Sequence, residues 1–274
     1  MSKTGSAAKV KLNSFDDLFG TEQPQTGTEQ VQEIALSELY EFKGHPFKVL
    51  DDEKMQETME SIREHGVLMP GIARPMKDGG YEIIAGHRRR HACELVGLTT
   101  MPMFIRDYTD DEATIIMVDS NIQREDILPS EKAKAYFMKY EAVKHQGKKG
   151  KGNSLDEVGE TAGESAKTVQ RYIYLAHLSD ALLDMVDKKK IGIVQGVELS
   201  FLTEQQQEWV QVVLEETVVI ISTVQAARLK EYGKSDELTL PMVRLILTEP
   251  KPIERKVNHQ GRQDQQIFSR RLFQ

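Results

Sequence analysis

The feature that most limits the fold is a change in hydrophobic spacing along the chain. From Ile34 to Arg106, short strand-like apolar runs alternate with helical segments, whereas from Ser130 onward almost every segment has the spacing of an amphipathic helix. This change predicts an α+β protein, with a small mixed α/β domain followed by an all-helical domain and further C-terminal helices.

Turn and capping residues place the predicted elements. Helices are predicted at residues 52–64, 86–96 and 109–120, and strands at 71–74, 81–85 and 101–106. The predicted domains are a flexible arm at 1–30, a mixed α/β domain at 31–128, a helical domain with its linking helix at 129–202, a helical region at 203–249 and a polar basic tail at 250–274. A Gly/Lys-rich break at 146–153 interrupts the helical part.

Composition excludes several classes of protein. No apolar run is long enough to span a membrane or to act as a signal peptide, so a cytoplasmic protein without a membrane partner is predicted. The single cysteine, Cys93, excludes an internal disulfide and a multi-cysteine zinc site. The histidines show no metal-ligand spacing, so no structural metal is predicted.

The net charge of −7 argues against nucleic-acid binding over the whole surface, because phosphate neutralisation requires clustered cations. Such clusters occur in two places. Residues 142–153 contain four lysines and no acidic residue, and residues 165–175 contain Lys167 and Arg171 and no acidic residue. A surface that contacts DNA is therefore expected here, although a run of lysines is also typical of a solvated linker.

Residues 154–175 have the spacing of a helix-turn-helix. The sequence SLDE at 154–157 has the form of a capping box, Gly159 is small enough for a close helix crossing, and Gly163 supplies a tight turn. Ser165 is placed to cap a second helix whose apolar face contains Val169.

The second helix of this motif presents polar side chains on its outer face. Arg171 and Gln170 can contact guanine or adenine edges, whereas Lys167 and Thr168 suit phosphates. With the capping Ser165, these residues form the predicted DNA-binding set. An ordinary helical hairpin with a solvated polar face is the alternative.

Gly86-His87-Arg88-Arg89-Arg90 lies at a strand-to-helix junction, where free backbone N–H groups attract anions and guanidinium groups add bidentate contacts. A cationic helix start without a ligand is the alternative. A second segment, SNIQRED at 120–126, places an amide, a cation and carboxylates together, a mixture suited to phosphates and hydrated Mg²⁺.

These segments resemble the ParB family of chromosome and plasmid partition proteins. The sequence EIIAGHRRRHA at 82–92, then DSNIQREDILPSEKA at 119–133, then the helix-turn-helix occur in the family's order, and the resemblance covers about 34–202. The resemblance implies that the domain at 31–128 binds CTP and acts as a clamp, and that the domain at 129–202 binds DNA. In that scheme CTP and a palindromic centromere-like site bring two N-terminal domains together, and the closed dimer slides along DNA.

The resemblance also implies roles for single residues. Gly86, Arg88 and Arg89, with His87 in the same loop, would hold the triphosphate, and Asn121 and Arg124 would contact a phosphate or its Mg²⁺. The turn at 66–71 would lie near the nucleotide. The arm at 1–30, with Lys9 and Lys11, resembles the segment that stimulates a ParA-type ATPase.

Three departures from the family pattern bear on activity. Ser120 stands where the family usually has a glutamate that helps to position Mg²⁺, so CTP hydrolysis is expected to be slow or lost unless Asp119 substitutes. His87 and His91 replace a glutamate and an arginine of the phosphate motif. Met69 replaces a glutamine before the proline of the turn.

Three functions follow as hypotheses. The first is a nucleoid-associated partition protein that binds a palindromic DNA site and uses CTP to load and spread, and the second is a transcription repressor of a mobile element without nucleotide hydrolysis. The third is an enzyme, since related N-terminal folds occur in sulfiredoxins and in some kinases and nucleases. Sulfiredoxin activity needs a thiolate at the phosphate loop, whereas Cys93 lies within an apolar stretch.

Overall fold

The computed structural model describes residues 31–146, 154–217 and 219–249. The predicted arm at 1–30, most of the basic break and the tail at 250–274 lie outside the described residues. The described chain forms two compact units. Residues 31–40 and 53–106 belong to the first unit, and residues 41–52 and those from 107 onward belong to the second.

The first unit is a mixed sheet with two helices. Its elements are β1 (Val31–Ala35), β2 (Leu39–Tyr40), α1 (Glu53–His65), β3 (Gly71–Pro75), β4 (Tyr81–Ala85), α2 (His87–Val96) and β5 (Thr100–Ile105), with a 3₁₀ turn at Leu36–Glu38. The described strands are ordered β1-β5-β3-β4-β2. The β1–β5 and β3–β4 pairs are antiparallel, whereas β3–β5 and β2–β4 are parallel.

The core of the first unit lies between the sheet and these helices. Met55, Met59 and Ile62 form the buried face of α1, as their spacing predicts. They share one apolar cluster with Ile83 of β4 and Met101 of β5. Gly97 ends α2 in the left-handed region at φ 86°, which is the conformation expected of a C-terminal glycine.

The second unit is helical. Its elements are α3 (Asp110–Asp119), α4 (Pro129–His145), α5 (Ser154–Glu160), α6 (Ala166–Leu175), α7 (Asp180–Asp187), α8 (Ile193–Leu199), α9 (Glu204–Glu216), α10 (Thr223–Lys234) and α11 (Leu240–Thr248). Thr109 forms the predicted capping box of α3, and Pro241 lies in the first turn of α11, as predicted. The predicted fold class, a mixed α/β domain followed by helices, is confirmed.

Helices α5 and α6 form the predicted helix-turn-helix. Gly163 adopts φ 65° in the turn, a conformation that glycine reaches without strain. At Gly159 a Cβ atom would collide with the Glu164 carbonyl oxygen and lie 2.9 Å from Cγ2 of Val169. The side chain of Ser165 accepts a hydrogen bond from the Thr168 backbone N–H. Each of these residues therefore does locally what the spacing predicts.

The C-terminal helices share one apolar core with the helix-turn-helix. This core runs from Ala133 through Leu175 and Val210 to Leu247. The prediction that Trp209, Val212, Val213 and Leu214 share the apolar face of α9 is partly wrong. Val210 is buried in the core, whereas Val212 is exposed, because the helix turns the side of Val210 and Val213 toward α11.

A buried ion pair joins α3 to α4. The ammonium of Lys139, 3% exposed, lies 2.5 Å from Oδ1 of Asp119. The same ammonium donates to the Thr161 hydroxyl at 3.3 Å, and the Gln123 amide donates to the Thr161 carbonyl oxygen at 2.9 Å. One hydrogen bond therefore joins α4 to the turn of the helix-turn-helix, and a second joins the segment after α3 to the same turn.

The compact units divide the chain at different places from the predicted domains. Residues 107–128 and 41–52 group with the helical unit, and the core described above continues across the predicted boundary between 202 and 203. The limits of the functional domains therefore stay a prediction. Among the residues that the structure describes, no helix is long and apolar enough to cross a bilayer.

Candidate nucleotide-binding and DNA-binding sites

The predicted phosphate loop lies at the junction of β4 and α2. Gly86 is the N-cap residue of α2, with φ 111°, and it offers no side chain to accept the first N–H groups of the helix. A Cβ atom at Gly86 would lie 3.2 Å from Cα of Gly71 and 3.4 Å from Nη2 of Arg89. The predicted turn at 66–71 is therefore packed directly against the phosphate loop.

Arg89 connects this turn to α2. Its guanidinium Nη1 donates hydrogen bonds to the carbonyl oxygens of Met69 and Pro70, the latter at 2.9 Å. Burial lowers the pKa of Arg89, although its ordinary value is so high that the group keeps its charge at neutral pH. Arg89 therefore holds the turn in place with part of its donor set. The sequence alone predicts only a triphosphate contact for this residue.

The other cations of the loop differ in their partners. His87 and Arg88 are partly buried in the first turn of α2. Arg90 forms an ion pair with Glu94 at 2.8 Å, one helical turn later. Arg90 therefore has its ion-pair partner within α2. The predicted phosphate set does not include Arg90 and consists of Gly86, His87, Arg88 and Arg89.

Asn121 and Arg124, the remaining predicted nucleotide contacts, belong to the second unit. The Asn121 amide nitrogen donates to the Met117 carbonyl oxygen at 2.9 Å and to Oγ of Ser120 at 3.2 Å. This leaves the amide oxygen, the atom type that binds Mg²⁺, as its acceptor. Arg124 is exposed.

Asp119, which could replace the missing glutamate, is engaged in the ion pair with Lys139. Ser120 donates its hydroxyl proton to the Met117 carbonyl oxygen at 3.0 Å. Among the described residues, no group of three or more His, Cys, Asp or Glu is arranged to hold a metal ion.

The loop of the first unit fits a phosphate group. The glycine at the N-cap removes the side chain that would block approach to the first N–H groups of α2, and positive charge follows in the first turn. Cys93 does not fit a sulfiredoxin-type thiolate. It is fully buried, and burial raises its pKa.

The predicted DNA-binding residues lie together on α6. Lys167, Gln170 and Arg171 are exposed, while Val169 and Ile173 of the same helix are buried in its apolar face. Thr168 is partly buried, and its hydroxyl lies 3.0 Å from that of Ser165. The outer face of α6 thus presents two cations and an amide.

These cations differ from neighbouring lysines because, within the part of the chain that the structure describes, they have no carboxylate partner. Several lysines of the second unit form ion pairs: Lys132 with Glu164, Lys134 with Asp180, Lys139 with Asp119 and Lys230 with Glu198. Among the ion pairs of the described residues, none includes Lys167 or Arg171. Their full charge is therefore available to an anionic ligand.

Lys139 is an organising residue that the sequence analysis does not identify. It lies three residues after the buried Tyr136 on an apolar face of α4. A lysine at a core position is a signal that could have marked it, because such a residue is rarely buried without a partner. The partner, Asp119, lies in another helix.

Comparisons with known proteins agree with the sequence pattern. Residues 20–122 match the family model of the ParB N-terminal domain. A probable chromosome 1-partitioning protein ParB from Deinococcus radiodurans is 35% identical over 187 residues, covering 68% of this chain and 61% of that protein. A nucleoid occlusion protein from Halalkalibacterium halodurans is 30% identical, covering 66% of this chain and 61% of that protein.

Among solved structures, a C-terminally truncated ParB from Caulobacter crescentus complexed with CTP-gamma-S is 25% identical, with a TM-score of 0.33, and covers 73% of this chain and 98% of that one. The chain spans about three fifths of the length of the curated relatives described above, 61% in both. Residues 20–122 of the chain therefore belong to the family of ParB N-terminal domains, and a helix-turn-helix follows them.

Proposed function

We propose that this protein is a DNA-binding partition protein that binds double-stranded DNA through α6 and a nucleotide, CTP, through the loop at Gly86. The observation that carries the proposal is the outer face of α6, where Lys167 and Arg171 have no carboxylate partner among the described residues. The Ser165 cap and the Gly163 turn complete a helix-turn-helix, a motif whose second helix enters the major groove in DNA-binding proteins.

Each polar side chain of α6 has a role that its chemistry suits. Arg171 and Gln170 contact base edges in the major groove, because the two donors of the guanidinium match the acceptors of guanine and the amide matches the donor and acceptor of adenine. Lys167 contacts phosphates and so positions the helix. Ser165 caps the helix, and the neighbouring Thr168 contacts the phosphate backbone. A palindromic site requires two copies of this chain, which supports a homodimer on DNA.

The nucleotide part of the proposal rests on the Gly86 loop and on the family resemblance of its motif. CTP brings a triphosphate that the first N–H groups of α2 and Arg88 bind. His87 lines the loop, and Arg89 orders the turn at Met69 and Pro70. By the family resemblance, Asn121 and Arg124 of the second unit would supply an acceptor oxygen suited to Mg²⁺ and a cation suited to phosphate.

The proposal extends to the whole protein. The protein loads and spreads on DNA, and CTP induces closure of its dimer. The arm at 1–30 stimulates a ParA-type ATPase. Ser120, together with the engagement of Asp119 by Lys139, favours slow hydrolysis or none. Binding without cleavage would keep the nucleotide as a ligand that controls the dimer.

The first experiment selects a duplex from a randomised pool with the wild-type chain, and then titrates that duplex with and without CTP. Arg171→Ala should weaken binding by about 1–3 kcal/mol and relax the sequence preference. Lys134→Ala, which removes a lysine already paired with Asp180, serves as the matched control. Unchanged affinity and preference in Arg171→Ala would remove α6 as the recognition helix.

Calorimetric titration with CTP, ATP and GTP in Mg²⁺ tests the nucleotide site. Arg88→Ala should abolish CTP binding and leave binding of the selected duplex intact, because the loop and α6 lie in different units. Phosphate release in the presence of the duplex measures hydrolysis. Binding of the duplex without binding of any nucleotide would favour a transcription repressor that uses the same DNA contacts.

A further inference from the structure

The polar face of α6 continues into an aromatic pair. The Gln170 amide donates a hydrogen bond to the Tyr174 hydroxyl at 3.4 Å, near the end of the helix. The ring of Tyr174 lies 5.1 Å from that of Phe201, which follows α8. Phe201 is 39% exposed, so this pair is not part of the core.

Two lysines of α10 stand over Phe201. The Lys230 ammonium lies 3.8 Å from the ring centroid, and that of Lys234 lies 5.7 Å from it. These lysines are four residues apart and therefore share one face of α10. The attraction between an ammonium and an aromatic ring keeps both charges at this place on the surface.

The charge balance of this cluster is positive. The carboxylate of Glu198 lies 2.8 Å from the Lys230 ammonium and neutralises it. Among the ion pairs of the described residues none includes Lys234, although Glu231 lies three residues before it. Lys234 thus resembles Lys167 and Arg171, whose charges also lack a carboxylate partner.

We propose that Tyr174, Phe201, Lys230 and Lys234 form a second DNA-contacting surface, here called the aromatic–lysine surface, which binds the phosphate backbone beside the bases that α6 reads. This inference rests on the proposed function, because it requires α6 to face DNA. Positive charge is complementary to phosphate, and the surface is continuous with α6 through the contacts of Gln170, Tyr174 and Phe201.

A backbone contact of this kind positions the protein without reading sequence. Phe201 sets the place of the cations, Lys234 makes the phosphate contact, and Lys230 offsets the repulsion that Glu198 would otherwise exert on DNA. The surface therefore contributes equally to a selected duplex and to an unrelated one. This distinguishes it from Arg171, whose loss should act mainly on the selected duplex.

The test compares fluorescence-anisotropy titrations of the two duplexes, the selected one and a scrambled one, over a range of salt concentrations. Lys234→Gln should weaken both duplexes by the same factor and should reduce the slope of log affinity against log salt by about 0.9, the value for one lost phosphate contact. Lys134→Gln, in which a lysine paired with Asp180 is neutralised, should leave the slope unchanged.

Two further variants sharpen this test. Glu198→Gln should strengthen binding to both duplexes, because it removes a negative charge from the surface. Phe201→Leu preserves apolar packing but removes the ring, and it should weaken both duplexes less than Lys234→Gln does. Thermal unfolding of each variant checks that it is folded.

The outcomes separate the two proposals. A salt slope unchanged by Lys234→Gln, together with weaker binding of the selected duplex by Arg171→Ala, would overturn the aromatic–lysine surface as a DNA contact and leave the proposed function standing. Failure of the wild-type chain to bind either duplex would overturn both.

Discussion

Arg89 of the first unit and Arg171 of the second are both predicted to bind an anion, but their surroundings differ. Arg89 is partly buried and donates to the carbonyl oxygens of Met69 and Pro70, whereas Arg171 is exposed and has no carboxylate partner among the described residues. A cation that such protein partners hold in the folded chain contributes to stability as well as to binding. An exposed cation contributes to binding alone, because water solvates it equally well in the unfolded chain.

Lys139 is the extreme case of a cation held by protein partners, because its side chain is only 3% exposed, and its loss should have the largest effect. Lys139→Met leaves the Asp119 carboxylate without its counter-charge, which should lower the free energy of unfolding by about 3–5 kcal/mol. Urea unfolding followed by circular dichroism measures this. Lys134→Met, whose exposed partner is Asp180, should cost under about 1 kcal/mol.

A double variant decides whether the unpaired charge is the cause. Lys139→Met combined with Asp119→Leu removes both members of the pair and should recover most of the lost stability, because apolar pairs often replace buried ion pairs without loss. If the double variant is as unstable as the single one, the effect comes from packing around Lys139 and not from its charge.

Arg89 should show an intermediate effect. Arg89→Ala removes both hydrogen bonds to the turn carbonyls and should lower the free energy of unfolding by about 1.5–3 kcal/mol. Arg90→Ala is the control, since it breaks only the ion pair with Glu94 one turn away and should cost about 0.5 kcal/mol. Equal losses in the two variants would mean that the turn contacts of Arg89 contribute nothing specific.

The protonation of His45 tests whether a positive charge lowers the stability of the fold when neighbouring carboxylates offset its burial only in part. Burial lowers the pKa of His45 from its ordinary value of 6.5, with the positive charge of Arg124 adding to this and Glu41 and Glu131 opposing it. The folded chain therefore binds the proton more weakly than the unfolded chain does. Stability from this group is fully present above pH 6.5 and falls as the pH drops below it.

His45→Asn removes this titration, so the unfolding temperature of the variant should fall less steeply than that of the wild type as the pH decreases below 6.5. The relevant quantity is the slope with pH, since the substitution also alters packing against Phe47. Parallel pH profiles for the two proteins would show that His45 is not the titrating group.

The smallest effect on stability is expected for the exposed cations. A variant with both Lys167→Gln and Arg171→Gln should change the free energy of unfolding by less than about 0.5 kcal/mol while it abolishes detectable binding to the selected duplex. Urea unfolding and DNA titration are made on the same preparation. A larger loss of stability would mean that Lys167 or Arg171 also makes contacts that stabilise the fold.

The helix-turn-helix could be predicted almost completely from sequence. Gly159, Gly163, Ser165 and Val169 are local determinants, since a close crossing, a turn with positive φ, a cap and an apolar face each depend on residues near in the chain. The exposed face of α6 follows from the same periodicity. The apolar face of α9 is predicted less well, because which of Val210 and Val212 is buried depends on helices that are distant in sequence.

In the nucleotide loop, the sequence identifies the residues but not the separate role of each one. A glycine before a cationic helix start indicates an anion site, and the motif resembles that of the ParB family. The contact of Arg89 with Met69 and Pro70, and of Gly86 with Gly71, joins segments that lie far apart in the chain. No periodicity encodes such contacts.

The sequence by itself determined the α+β order of elements, the helix-turn-helix with its cationic face, and the family of the N-terminal domain, because these depend on local spacing and on motifs of adjacent residues. Tertiary structure alone decided which cations are exposed and which are held. Lys139, Arg89 and Arg171 are all cationic residues in helical segments. The packing of distant elements places Lys139 beside Asp119 and Arg89 beside two carbonyl oxygens, and it leaves Arg171 exposed to solvent. Burial sets the energy of a charge, and burial is a property of the assembled fold.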